Sequence, residues 1–384
     1  MPDDPRGTRD GGWNQSHHPE VSVFVALRDL KNARGRFVLM SVVIILITFL
    51  VTFLSSLTAG LARESTSAVT DLPSDHLAFS MPSSDDSPEF TASRVTADQW
   101  TGWEDVAGVE SADPLGVATT RAESASTTAG VTALGVEPGS GLVPGGDVAS
   151  GEVVLTPGAA ADLDAEVGDA VTMGGSDLTV AAVVDADESF SHSPVVWTTL
   201  DDWQAIGARG ATGETDGPVA SVVALSSSDA DAFAAADADL GTTTVTTSDA
   251  RSAVPSFAGE NLSLTTMQLF LLVISALVVG AFFTVWTISR SADIAVLKAL
   301  GASTRYLLKD ALGQAALVLT GGVAVGTGLT VLGAAVLPAA VPVSVSWSTT
   351  LVPAVALVVL GLVGAAVSVA RITRVDPHAA LAAH

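Results

Sequence analysis

The chain has no cysteine, three lysines and one tyrosine in 384 residues. Without cysteine there is no disulfide framework, no thiol nucleophile and no Cys-ligated metal. A domain of about 200 residues can still hold itself together by a hydrophobic core alone. A P-loop needs Gly directly before its Lys, whereas Lys31, Lys298 and Lys309 each follow Leu. The chain therefore cannot hydrolyse ATP by that route. There is no GxSxG or HExxH motif, and the six histidines (17, 18, 76, 192, 378 and 384) are scattered. Basic residues are also scarce: 17 Lys and Arg face 41 Asp and Glu, for a net charge of −24. That balance argues against nucleic acid as a partner.

What the chain does have is apolar length. Mean hydropathy is +0.48, and four uncharged runs account for it: Phe37–Gly60, Leu264–Ile288, Leu312–Leu337 and Leu351–Ala370. Each holds roughly 20 residues or more, enough to cross a hydrocarbon core as a helix. The first run is too long for a signal-peptide core and reads as a retained span. The expected organisation is a cytoplasmic tail with an interfacial helix (1–36), a first span (37–60), a large outer domain (61–263) and a second span (264–288). A cytoplasmic loop (289–311), a third span (312–337), an outer loop (338–350), a fourth span (351–370) and a cytoplasmic tail (371–384) complete it. The fold class is thus an α-helical membrane protein with four transmembrane helices and a large α+β extracellular domain between the first two.

Charge orients this plan. Residues 61–263 contain 33 of the 41 acids but only five of the 17 Lys and Arg. The positive-inside rule then puts both termini and the 289–311 loop in the cytoplasm of a cell-membrane protein, with 61–263 outside. Residues 1–20 read as a disordered tail. In 21–36, Phe24, Leu27 and Leu30 recur at helical spacing, as a helix on the membrane face would require.

Within the outer domain, 97–107 reads as a helix that packs Trp100 and Trp103. Strands are expected at Val131–Val136, Val153–Leu155, Ala170–Met173, Leu178–Val184, Ala220–Leu225 and Thr242–Thr246. Gly174-Gly175 marks a turn that makes 170–184 a hairpin. Asp229–Leu240 reads as a helix with an apolar stripe through Phe233, and 137–151 as a loop. Gly322 and Gly326 in the third span, and Gly361 and Ala365 in the fourth, form small-residue faces that allow close helix packing. Pro338 and Pro342 break the chain between those spans.

The loop SRSADIAVLKALGASTRYLLKD, 289–310, differs from an ordinary basic loop. On a helix, Ile294, Leu297 and Leu300 share one face, with Ala295, Ala299 and Ala302 keeping it slim. Lys298, Arg305 and Lys309 are placed to meet acids of a partner, and Gly301 suits a left-handed helix end. An apolar face in a cytoplasmic loop suits docking. SRSADIAVLKALGAST resembles the motif that follows the second span in FtsX/MacB-type ABC transporter permeases, with Asp293 at a position usually occupied by Glu. The closing RITRVDPHAAL is similar to that family's end motif, through Arg371, Arg374, Asp376, Pro377 and Leu381. The resemblance extends to the whole layout. It implies a non-catalytic homodimer that binds a separate cytoplasmic ABC ATPase, which holds ATP and Mg. It also implies a coupling role for Asp293, Ile294, Leu297, Lys298, Leu300, Gly301 and Ala302.

ALRDLKNARGRFVLM, and LTAGLARESTSAVTDLPSDHLAF beyond the span, resemble actinobacterial heme-efflux permeases of the HrtB type, which carry a Glu just past the outer end of the first span. Glu64 stands there. The resemblance implies heme as substrate, with Glu64 as iron ligand and Phe53 and Leu57 as apolar walls. His76, Met81 and Met267 are weaker ligand candidates, and no intrinsic cofactor or metal site is expected. Two alternatives remain open: export of an antimicrobial peptide, macrolide or lipid, and mechanical control of an envelope hydrolase.

Overall fold

The computed structural model describes residues 34–81, 87–207, 219–228, 230–255, 257–289, 296, 300–301, 303–338 and 341–373. The helix expected over 21–36 lies mostly outside them. Helices follow in the order α1 (Arg34–Thr70), α2 (Ala97–Glu104), α3 (Pro157–Leu163), α4 (Leu200–Ala205), α5 (Phe233–Leu240), α6 (Thr247–Ala250), α7 (Phe257–Ser289), α8 (Thr304–Val336) and α9 (Trp347–Thr373). Four of these, α1, α7, α8 and α9, are long and apolar enough to cross a membrane. The large α/β domain falls between the first and second of them. The chain divides into two units: residues 1–52, 271–335 and 350–384, and residues 53–270 and 336–349.

The first unit is helical. Its core holds Met40, Ile44 and Val51 of α1, Val279 and Phe283 of α7, Leu319 of α8 and Leu357 of α9. The expected small-residue faces lie at its tightest points. A Cβ on Gly322 or Gly326 would come within 2.7 Å of Ile44 or Thr48 respectively. Thr52 and Thr330 pair their hydroxyls at 2.6 Å. Lipid supplies no hydrophobic drive between helices, so close approach and buried polar pairs of this kind hold them together.

The second unit is built on strands β1 (His76–Phe79), β2 (Val95–Thr96), β3 (Val109–Glu123), β4 (Thr128–Val136), β5 (Glu152–Leu155) and β6 (Ala170–Met173). It continues with β7 (Ser176–Val183), β8 (Ser189–Phe190), β9 (Ser193–Thr199), β10 (Val219–Ala220), β11 (Val222–Ser227) and β12 (Thr243–Thr246). The main sheet runs β12-β1-β11-β3-β4-β9-β5-β7-β6, and β6 returns to pair with the end of β3, closing a ring. β4–β9 and β5–β7 are parallel and the other pairings antiparallel. The 170–184 hairpin is present, with Met173 opposite Ser176 across Gly174-Gly175. β3 serves three neighbours: up to Leu115 it pairs with β11, from Leu115 to Glu123 with β4, and at Ala122–Glu123 also with β6. Pro114 precedes the β4 pairing, so its missing N–H is tolerated.

Both faces of the sheet are covered. On one, Val131, Ala133 and Val223 join Trp100, Trp103 and Trp203. On the other, Leu134, Val136, Val222 and Trp197 join Phe79, Phe90 and the end of α1. Strands buried on both sides read as continuous apolar runs. Gly116 and Gly135 face each other across β3 and β4, and Trp203 fills the trough they leave. A Cβ at either position would lie within 2.5 Å of its side chain. Trp100 and Trp103 are both buried on α2, as expected, and the Thr96 N–H donates to Gln99 Oε1 at the start of that helix. α5 begins at Phe233, with 230–232 in a turn rather than the helix expected from 229.

α1 continues well past the end of its apolar run at Gly60. Ser65 to Val69 are buried, and Ala68, Val69 and Leu72 belong to the second core face. The segment between α8 and α9 is stitched to the same helix: the Ser344 N–H donates to the Ser56 carbonyl at 3.0 Å. The Pro342 carbonyl oxygen occupies the space that a Cβ on residue 60 would need.

Glu188 is 5 % exposed and accepts the Trp197 Nε1–H at 3.1 Å. Burial pushes its carboxyl from an ordinary 4.5 up to about 7, with the Trp197 hydrogen bond opposing. A raised carboxyl pKa favours the protonated folded state. Its contribution to stability is full below about pH 4.5 and is lost as pH rises through 7. Glu188→Gln retains the acceptor without the charge. Its advantage over wild type should grow to on the order of 3 kcal/mol by pH 8, read from tryptophan-fluorescence melts across pH. Parallel pH curves for the two proteins would contradict this.

Candidate functional site at the outer end of the first helix

Phe53, Leu57 and Glu64 lie on one stripe of α1, within about 40° of arc at 100° per residue. Phe53 and Leu57 are half-buried, and the Glu64 side chain is 45 % exposed. Around Glu64 the structure assembles groups that nothing in the sequence connects to it. His192 Nδ1 lies 3.7 Å from Glu64 Oε2. His192 Nε2 is 2.9 Å from Ser65 Oγ and 3.0 Å from Glu260 Oε2. Glu260 sits in the first turn of α7, where the helix dipole favours a carboxylate.

His192 is placed by a tight hairpin. Phe190 pairs with Ser193 across β8 and β9, leaving Ser191 and His192 as a two-residue loop with φ of 50° and 61°. Both central residues are left-handed, as a type I′ turn requires, and Asn-Gly is its usual sequence. Here the turn is clipped to the helix. The Ser191 N–H donates to the Ser65 carbonyl at 2.9 Å and the His192 N–H to the Glu64 carbonyl at 3.2 Å. The Ser189 N–H donates to Ser67 Oγ at 2.8 Å. These bonds hold two non-glycine residues in a conformation that costs roughly 1–2 kcal/mol each.

The other candidate ligands lie elsewhere. His76 opens β1, with its ring edge-on to Phe233 at 5.1 Å. Met81 packs on the core around Leu77 and Phe79. Met267 is 54 % exposed on α7. No hydrogen bond, ion pair or ring contact joins these three to Glu64 among the described residues. Also among those residues, no group of three His, Cys, Asp or Glu side chains is arranged to hold a metal ion. The arrangement places one imidazole between two carboxylates, Glu64 and Glu260, beside α1.

Of the loop residues, Asp293, Ile294, Leu297, Lys298 and Ala302 lie outside the described residues, as do Arg374, Asp376, Pro377 and Leu381. Leu300 is 80 % exposed, its N–H donates to the Val296 carbonyl at 3.0 Å, and Gly301 has φ of 94°.

Residues 37–243 match the family model of the MacB-like periplasmic core domain, and residues 265–377 that of the FtsX-like permease C-terminal region. A Staphylococcus haemolyticus protein named for a hemin transport system, permease protein HrtB, is 24 % identical over 359 residues, covering 93 % of this chain and 98 % of its own. Its namesake in Staphylococcus epidermidis is 26 % identical over 369 residues, with the same coverage. An uncharacterized ABC transporter permease of Mycobacterium tuberculosis is 28 % identical over 276 residues, covering 70 % of this chain and 74 % of its own. Among solved structures, the extracellular domain of the ABC-type transporter YknZ is similar at a TM-score of 0.33 and 17 % identity, covering 45 % of this chain and 98 % of that one.

The hairpin geometry makes a direct prediction. His192→Gly relieves a left-handed side chain while losing the ring's two hydrogen bonds, so its melting temperature should stay within about 3 °C of wild type. His192→Val keeps the left-handed backbone, adds β-branching and should cost about 2 kcal/mol or more. Thermal melts of the two variants check this; equal losses would place the stabilisation in the ring and not in the turn.

Proposed function

The chain belongs to the FtsX/MacB family of ABC transporter permeases, and on that premise we propose that it is the membrane subunit of an efflux pump for heme or a similar amphipathic, membrane-soluble compound. The pump is a homodimer of this chain with a separate cytoplasmic ATPase that binds ATP and Mg. Both termini are cytoplasmic, and residues 61–263 lie outside. The chain itself carries out no hydrolysis.

The observation that carries the substrate reading is the position of Glu64. Its carboxylate stands half-exposed a few residues past the apolar run of the first span, with His192 Nδ1 3.7 Å away. Phe53 and Leu57 lie below it on the same stripe. Carboxylate and imidazole are both ligand types for heme iron, and the apolar stripe suits a porphyrin face. The relatives named for hemin transport, matched along nearly their whole length, support the same reading. His76, Met81 and Met267 are secondary candidates.

Movement begins at the cytoplasmic loop. The face formed by Ile294, Leu297 and Leu300, with Asp293, Lys298, Gly301 and Ala302 around it, docks on the ATPase. Nucleotide binding drives that face, and the outer-leaflet cavity opens and closes in response. Leu300, exposed and apolar, is the described member of the face.

Two measurements test this account. Heme titration of the purified permease in nanodiscs should give a saturable Soret shift, which Glu64→Ala weakens by about tenfold or more. Absence of any specific shift in wild type would move the function to peptide, macrolide or lipid export, or to mechanical control of an envelope hydrolase. Leu297→Asp or Leu300→Asp puts a charge in the docking face. Either should abolish stimulation of the partner ATPase by the permease while leaving heme binding intact. Retained stimulation would show that the loop is not the coupling element.

A further inference from the structure

The side of α1 opposite the Phe53–Leu57–Glu64 stripe borders a groove of about 790 Å³. α1 contributes residues from Ser55 to Thr70. The rest come from α6, Arg251, the first half of α7, and residues 344–349, which lead into the first turn of α9. The volume is that of a small-molecule site. Its chemistry is unlike its surroundings. Residues 61–263 hold 33 acids and five basic side chains, yet the groove is lined by no acid and by two of the five arginines, Arg63 and Arg251. Most of the remaining lining residues are Ser or Thr, joined by Asn261 and Gln268.

The donors are available. Arg63 is tied to Asp71 at 2.7 Å, but the side chains of Arg251, Asn261, Gln268 and Ser248 have no hydrogen-bond partner within the described protein. An acid-free hydroxyl groove with an uncommitted guanidinium matches a tetrahedral oxyanion, which Arg holds by paired N–H donors. The groove also lies at a particular level. Its α1 residues straddle Gly60, where the apolar run ends, with Ser55 to Ala59 inside the run and Ala62 to Thr70 beyond it. That is the level of lipid headgroups.

We propose that this groove is a second site, separate from Glu64, that binds the phosphate of an anionic lipid headgroup through Arg251 and Arg63. The inference is independent of the heme reading: loss of heme binding in a Glu64 variant leaves it standing.

The test uses the full-length permease in detergent micelles, titrated with dioctanoyl-phosphatidylglycerol and followed by native mass spectrometry. One lipid per chain should bind saturably, and uncharged dioctanoylglycerol should not. Arg251→Gln, at an exposed and unpartnered position, should weaken binding about tenfold, and the Arg63→Gln/Arg251→Gln double variant should weaken it further. Arg121→Gln, an exposed arginine outside the groove, and Glu64→Gln should leave it unchanged. Binding unaffected by Arg251→Gln, or absent in wild type, overturns the site. Inorganic phosphate competing at equal affinity would assign the groove to a free oxyanion and overturn the lipid.

Discussion

The second unit depends on the burial of the outer end of α1 in the β-domain's core. Ala68, Val69 and Leu72 share a core with Phe79, Phe90 and Trp197, and three backbone N–H groups of the 189–192 hairpin donate to Ser67, Ser65 and Glu64. The Glu64 and Ser65 carbonyls lie a turn or more inside the helix end at Thr70, and a carbonyl has two lone pairs, so each can accept from the hairpin tip as well as within the helix. Burying three apolar side chains of this kind contributes several kcal/mol, roughly 25 cal/mol for each Å² removed from water. The same packing fixes Glu64 relative to His192 and holds the turn in its left-handed form. On the domain side, the helix is a structural member and not a tether.

That arrangement separates two chemistries around one helix. The Glu64 side carries that carboxylate and the apolar residues Phe53 and Leu57, with the His192 imidazole of the hairpin beside it. The far side carries hydroxyls, amides and arginines. Segregation by helical face is the least costly way to keep like groups together, since residues three and four apart share a face while immediate neighbours do not. Arg63 and Glu64 are adjacent in sequence and serve different surfaces for this reason. Arg63 turns to Asp71 at 2.7 Å, whereas Glu64 turns towards His192.

Much of the fold was legible because its signals are local. Four uncharged apolar runs correspond to four long helices, Gly174-Gly175 marks a hairpin that is present, and the Trp100–Trp103 spacing marks a helix with both rings buried. The extension of α1 to Thr70 was not legible. Hydropathy reports where apolar character stops, whereas ARESTSAVT remains helical because Ser65 to Val69 are buried on all sides. Strand β3 was hidden by Pro114 and Gly116, which ordinarily argue against a central strand. The pairing with β4 begins only at Leu115, past Pro114, which accommodates the first, and Trp203 accounts for the second. Glu64 could be picked out by its place after the span, but its neighbours could not: His192 is 127 residues from Ser65, and only the fold brings the two together.

Hydrogen exchange at the hairpin tip tests the central claim most directly. In the full-length permease in nanodiscs, the amides of Ser189, Ser191 and His192 donate to α1 and should exchange as slowly as those in the middle of β4 and β9. Protection at that level, lost together with protection over residues 65–70 when the domain is unfolded, is the predicted result. Exchange of the tip at the rate of an exposed loop, while β4 and β9 remain protected, would show that the helix end and the domain are not one packed body.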